Sequence, residues 1–169
     1  WLLIQYTGTA NGEIIWFDYI NVKKVEGGSQ PGTSDALVKN GDFETGDNTG
    51  WDKHQGTVIN ADAAYKGQYG ANLIGDGGWG GLLNQTIAVK AGQEYTLSFW
   101  VKAVKNGVNV QIKQDDWQGA SIEDAGGTYY SNTEWKYVEN TFVAPTDAIF
   151  INVCGSGIGS TDCVYFDDF

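Results

Sequence analysis

Tyr95, Leu97, Phe99, Val101 and Ala103 alternate with mostly polar residues, and Val108, Val110 and Ile112 do the same a few residues later. An apolar residue at every second position gives a strand one greasy face and one wet face, and no helix can present that pattern as a single stripe. Comparable short runs recur as TVINA (57–61), GANLIG (70–75), LLNQTIAV (82–89), KYVENTFVA (136–144), AIFINVC (148–154) and CVYFDDF (163–169), with LVKNGDFE opening at Leu37. Between them lie turn residues drawn from 24 Gly, and no segment shows helical periodicity. The expected fold is all-β, a two-sheet β-sandwich of jelly-roll type.

Asn106-Gly107 sits between the two clearest runs and is a strong two-residue turn signal, because both central positions of the favoured turn need positive φ. Counting outward pairs Lys105 with Val108, Ala103 with Val110, Lys102 with Gln111, Val101 with Ile112 and Trp100 with Lys113. Leu97, Phe99, Val101, Val110 and Ile112 then point inward. Ser98, Trp100, Lys102, Asn109, Gln111 and Lys113 share the outer face. A Trp among amides and ammonium groups suits a sugar, whose C–H face stacks on the ring while its hydroxyls need donors and acceptors. The plainer alternative is a solvated face with a loop covering Trp100.

Other Trp residues bear on the choice. Trp79 lies in GDGGWGG and Trp117 in QDDWQGA, both without an apolar periodic frame, so both read as ligand platforms. Trp51 reads either as a platform or as a plug at one end of the sandwich, and Trp135 in NTEWKYV reads as structural.

Residues 150–167 repeat 3–18: IQYTG and IIWFDYI match INVCG and CVYFDDF across a loop that is longer in the second copy. Such similarity marks repeated modules. Residues 1–26 are therefore read as the closing strands of a preceding, similar module, 27–36 as a Gly/Ser/Pro linker, and 37–169 as a module with a truncated closing strand. The chain is expected to be a piece of a longer multimodular protein. Leu2, Ile4, Trp16 and Phe17 are expected to seek cover at a sheet edge or by strand exchange with a neighbouring chain.

A formal net charge of -11 opposes nucleic acid and anionic membrane as partners, and no apolar run has membrane-spanning length. Cys154 and Cys163 flank a loop between neighbouring strands; a hairpin-closing disulfide and two buried thiols are both open, while zinc lacks ligands. Asp115, Asp116, Glu123 and Asp124 cluster locally instead of facing each other as glycosidase carboxylates must, and His54 is the sole His. Asp42 and Glu44 alternate on the first strand, which a jelly roll brings close to the last, so Glu44 and Asp167 with backbone carbonyls read as an oxygen cage for Ca2+ or, alternatively, these acids are solvated at the surface. The repeat favours Asp167 over Asp168, because Asp18 matches the former and Tyr19 the latter.

NGDFETGDNTGW, YKGQYGANLIG, GGLLNQTIAVKAGQEYTLSFWVKA and VYFDDF resemble, in that order, the signature blocks of carbohydrate-binding modules of the group of families 4, 9, 16 and 22, most of all family 16. The resemblance implies a jelly roll with a concave ligand-binding sheet, no catalysis, a structural Ca2+ and secretion as part of a polysaccharide-degrading enzyme. It places Glu44 and Asp167 at the calcium, helped by backbone groups near Asp42 and Lys66. It matches Trp51, Trp79 and Gln111 to sugar-contacting positions, whereas Trp100, Lys113 and Trp117 rest on the face and loop arguments. The expected ligand is a β-1,4-linked glucan or mannan chain, bound to target an attached glycoside hydrolase. The alternative is a cell-surface or matrix module of the same fold that binds protein or other glycans.

Overall fold

The computed structural model describes residues 37–53, 57–74, 79–103, 108–122, 129–156 and 164–169, with backbone only for 79–82, 129, 155 and 156. The chain divides into two units, Trp1–Asp35 and Ala36–Phe169, and the described residues all belong to the second. The repeat in 1–26, the linker, His54, the Asn106-Gly107 turn, Glu123, Asp124 and Cys163 lie outside them.

Among the described residues are ten strands: β1 (Asp52–Lys53), β2 (Val58–Asn60), β3 (Gly70–Asn72), β4 (Trp79–Ala88), β5 (Glu94–Ala103), β6 (Val108–Gln114), β7 (Tyr129–Tyr130), β8 (Lys136–Val143), β9 (Ala148–Ser156) and β10 (Val164–Asp167). They make two five-stranded antiparallel sheets, a first of order β1-β4-β9-β6-β7 and a second of order β2-β3-β10-β5-β8. The inner faces meet in one core, where Leu97, Phe99, Val101, Val110 and Ile112 are buried with Leu83, Ile151, Val153 and Phe166. Each such side chain stabilises the fold by about 1.5–3 kcal/mol before conformational entropy is charged against it.

The expected β5–β6 hairpin does not form. Both edges of β5 are filled, by β8 and β10, and β6 pairs with β9 and β7 in the opposite sheet. The alternation assigned the inward faces correctly, because facing is a property of each strand alone. The pairing is not such a property, and the connection crosses from one sheet to the other.

The expected opening strand is replaced by turns. Asn40 (φ 49) and Phe43 (φ 53) adopt left-handed backbone, which breaks the alternation of LVKNGDFE. The segment is tied down by a side chain instead: buried Gln85 accepts from Lys39 N at 2.7 Å and donates to Lys39 O at 3.0 Å, standing in for a strand partner. The other end of the module comes back to the same place, where Phe169 N donates to Gly41 O at 3.0 Å.

Candidate functional site: the outer face of the first sheet

Strand alternation that sends Ile149, Ile151 and Val153 inward leaves Phe150 and Asn152 of β9 on the outer face. Cross-strand register then assembles polar rows. Asn152 is opposite both Asn84 of β4 and Gln111 of β6, and Asn84 is opposite Asp52 of β1. In the next row Phe150 is opposite Thr86 and Lys113. Asn152 Nδ2 donates to Gln111 Oε1 at 3.1 Å, which fixes the two amides relative to each other. Asn84 Oδ1 is buried with no hydrogen-bond partner, so the row has an acceptor left over.

Trp117, 66% exposed, lies in the turn that follows β6. The turn that carries it is closely determined. Gln114 N donates to Ala120 O at 2.9 Å, and Asp116 Oδ1 caps the turn by accepting from Gln118 N at 2.7 Å. Lys113 Nζ donates to the Trp117 carbonyl. Gly119 is required where it is, since a Cβ there would lie 1.7 Å from Gln114 O. One row further along, Asn109 and Cys154 face each other and are buried, with Sγ and Oδ1 4.0 Å apart. Burial pushes the Cys154 thiol up to about 11, so it stays protonated at neutral pH. Cys154 is a free thiol here, so the hairpin-closing disulfide is not formed; Cys163 itself lies outside the described residues.

Gln111, Lys113 and Trp117 are thus brought together, while the other expected sugar contacts are not. Trp51 is core: it is 3% exposed, its ring lies 5.7 Å from Phe43 and 5.0 Å from Phe169, and its Nε1 donates to Asn40 O at 3.0 Å. A ring enclosed in this way offers no face to a sugar, so its platform role is withdrawn. Trp100 lies on the outer face of the second sheet, across the sandwich from Gln111, and Tyr65 from the preceding loop stacks on it at 3.8 Å and 19°. Trp79 pairs in backbone register with Ser156, but its side chain is outside the described residues. A bulge decides that register: Gly81 is opposite Cys154 and Leu83 is opposite Val153, so Leu82 is the extra residue and the parity of β4 changes there.

The acids meet at the loop 65–69. Asp167, 1% exposed, accepts from Tyr65 N at 2.7 Å and Lys66 N at 3.0 Å through Oδ2, and from Asp168 N at 2.8 Å through Oδ1. Glu44 Oε1 accepts from Gln68 N at 2.8 Å and Tyr69 N at 2.9 Å. Burial pushes the Asp167 carboxyl up to about 6 in spite of the three N–H donors that lower it. Asp42 is exposed, and its Oδ1 only accepts from Glu44 N at 3.3 Å. Among the described residues no group of three or more Asp, Glu, His or Cys is gathered to hold a metal. A site with two carboxylates and main-chain carbonyls remains compatible. Glu44 Oε2 accepts no hydrogen bond among the described residues, and the carboxylate packs directly on Gly67, where a Cβ would lie 2.4 Å from Oε1. A buried carboxylate with a raised pKa and no cationic side chain bonded to it among the described residues is also one that a hard cation would stabilise.

Comparison with known proteins gives a consistent result. The family model described as "Carbohydrate binding domain" matches residues 35–153. No curated protein matches the chain by sequence. Among solved structures, a family 16 carbohydrate binding module is similar at 24% identity and TM-score 0.59, over 78% of this chain and 96% of that one. A family 61 module solved with β-1,4-galactotriose has 23% identity and TM-score 0.57, over 78% and 94%. A family 22 xylan-binding domain from Paenibacillus barcinonensis has 16% identity and TM-score 0.51, over 74% and 85%. At such identities these likenesses speak to the fold.

Proposed function

The chain belongs to the carbohydrate binding domain family, and from that premise we propose that its outer first-sheet face binds a β-1,4-linked glucan or mannan chain. The module is a non-catalytic carbohydrate-binding one. The observation that carries the choice of face is the amide row Asn84–Asn152–Gln111 with the exposed Trp117 ring in the turn that follows β6. A pyranose is amphipathic in the same sense: its axial C–H bonds pack on the Trp117 ring and on half-buried Phe150, while its equatorial hydroxyls exchange hydrogen bonds with the amides and with the Lys113 ammonium. Each hydrogen bond contributes a net ~0.5–1.5 kcal/mol, so affinity comes from several sugars bound in register and not from one contact. Linked to a glycoside hydrolase in a secreted enzyme, the module would raise the local concentration of substrate chains.

Calorimetric titration with cello-, manno-, xylo- and β-1,4-galacto-oligosaccharides tests the reading. The last two are included because similar modules are described with those sugars. Heat with the cello or manno series that is weakened roughly tenfold or more by Trp117→Ala supports it, since one stacked aromatic supplies ~0.5–1.5 kcal/mol beyond its buried area. Heat with xylan or galactan fragments alone would sink the glucan or mannan assignment.

We further propose that Ca2+ is held by Glu44 and Asp167 with carbonyl groups near Asp42 and Lys66. Its charge would favour the ionised Asp167 and fasten the 65–69 loop to both ends of the module. Chelation should then lower Tm by several degrees, and an unchanged Tm would refute the site.

A further inference from the structure

The outer face of the second sheet, on the side of the sandwich opposite the amide row, carries an aromatic cluster of its own. Trp100 of β5 lies in one cross-strand row with Asp167 of β10 and Tyr137 of β8. Tyr65 stacks on Trp100 at 3.8 Å, Trp135 meets Tyr65 at 5.4 Å with an interplanar angle of 61°, and Tyr137 lies 5.3 Å from Trp100. Tyr65 and Tyr137 nevertheless remain 40% and 44% exposed. From these positions we propose that the cluster is a second carbohydrate site, taking a neutral pyranose chain. The proposal rests on carbohydrate binding by the family but not on the first-sheet face.

Three features favour a sugar over a protein partner. The residues interleaved with the rings on β5 and β8 are Ser98, Lys102 and Glu139, donors and acceptors of the kind that sugar hydroxyls pair with. The rings make a floor and a wall, Tyr65 lying flat on Trp100 and Trp135 steeply inclined to Tyr65, which is the shape that receives one face of a pyranose. The floor is also fixed in advance: the stack holds the Tyr65 ring, and the Tyr65 N–H bond to Asp167 Oδ2 holds its backbone, so little side-chain freedom remains to be lost on binding. Asn72 Oδ1, opposite Tyr165 on the same sheet, is a further buried acceptor without a partner.

Since the two faces point away from each other, they would engage different chains, and the module would cross-link polysaccharide. The test uses cellohexaose and mannohexaose in calorimetry and soluble glucomannan in a turbidity assay. The wild-type protein should bind close to two hexasaccharides and cloud glucomannan. Tyr65→Ala/Tyr137→Ala should bind one and leave it clear, Tyr65→Phe should behave as wild type because the stacking ring is kept, and Trp117→Ala should retain one site. Tm is followed alongside, and Tyr137→Ala alone, at an exposed position, supplies a variant that keeps the fold while weakening cross-linking. Wild-type binding of a single chain, unchanged by the Tyr substitutions, would overturn the second site and leave the first standing. Binding lost with the Tyr variants but untouched by Trp117→Ala would uphold the second site and overturn the first. No heat with either hexasaccharide and no turbidity would overturn both.

Discussion

Gly67→Ala probes how the two ends of the module are fastened. Gly67 has φ +75, and a Cβ there would lie 2.4 Å from Glu44 Oε1 and 2.6 Å from its Cδ. The substitution therefore incurs two separable costs. Left-handed backbone in an L-residue costs about 1–2 kcal/mol. The Glu44 carboxylate must also swing away, because the clashing atoms are the far end of a flexible side chain, and it abandons the Gln68 and Tyr69 N–H groups. Those donors lie at the surface and can turn to water, so each lost bond costs ~0.5–1.5 kcal/mol and not the full penalty of a buried orphan. The single variant should lose about 2–5 kcal/mol, a fall in Tm of roughly 10 °C for a domain of this size.

In a Glu44→Ala background the clash and the two bonds are already gone, and Gly67→Ala should cost only the ~1–2 kcal/mol of backbone strain. The double-mutant cycle thus predicts a coupling of about 1–3 kcal/mol, measured by urea unfolding of metal-free protein. Strict additivity of the two substitutions would refute the account, because it would mean that the Glu44 carboxylate does not pack on Gly67 in solution.

Trp51→Ala should destabilise the module by ~3–5 kcal/mol, since it empties a packed site between Phe43 and Phe169 and leaves Asn40 O with only the longer bond from Phe43 N; a loss below 1 kcal/mol in urea titration would contradict its place in the core. Gly119→Ala should lower oligosaccharide affinity about as much as Trp117→Ala and lower Tm as well, because the turn must reopen to relieve a 1.7 Å contact with the backbone oxygen of Gln114; unchanged calorimetry would refute the link between that turn and the sugar face. For Asp167, burial raises the folded pKa from 3.8 to about 6, so the fold binds its proton before the unfolded chain does. Metal-free protein should accordingly gain stability from this group as pH falls from about 6 to 3.8 and lose it as pH rises again, while Asp167→Asn should lack that component; identical Tm profiles for the two would be the refuting result.

What could be read in the sequence was what each strand decides alone. VNVQIKQ forms β6 over its whole length, and the inward residues of β5 and β6 follow from alternation because a side chain's face depends only on its parity along the strand. The same rule applied to AIFINVC separates Phe150 and Asn152 from the core, but it gives them no neighbours. Their place on the binding face depends on β9 lying between β4 and β6, a long-range arrangement that no local turn signal encodes. The Asn106-Gly107 signal misleads for this reason: a turn dipeptide does not determine whether the next strand joins the same sheet or the opposite one.

Trp51 illustrates the converse limit. Its surroundings come from Phe43 nearby and Phe169 at the far end of the module, so the absence of a local apolar frame carried no information about burial. Trp79 adds the bulge at Leu82, which shifts parity within a single strand and would defeat a count made from either side. Separation of Trp100 from Gln111 changes the physical picture most. An outer face that looked like one mixed aromatic and amide surface is divided between two sheets, with the amides on one and the stacked rings on the other. Each face keeps half of what a sugar needs, and the proposed sites complete it locally, the first with Trp117 and Phe150, the second with Ser98, Lys102 and Glu139, so a single misplaced hairpin turns one expected site into two proposed ones.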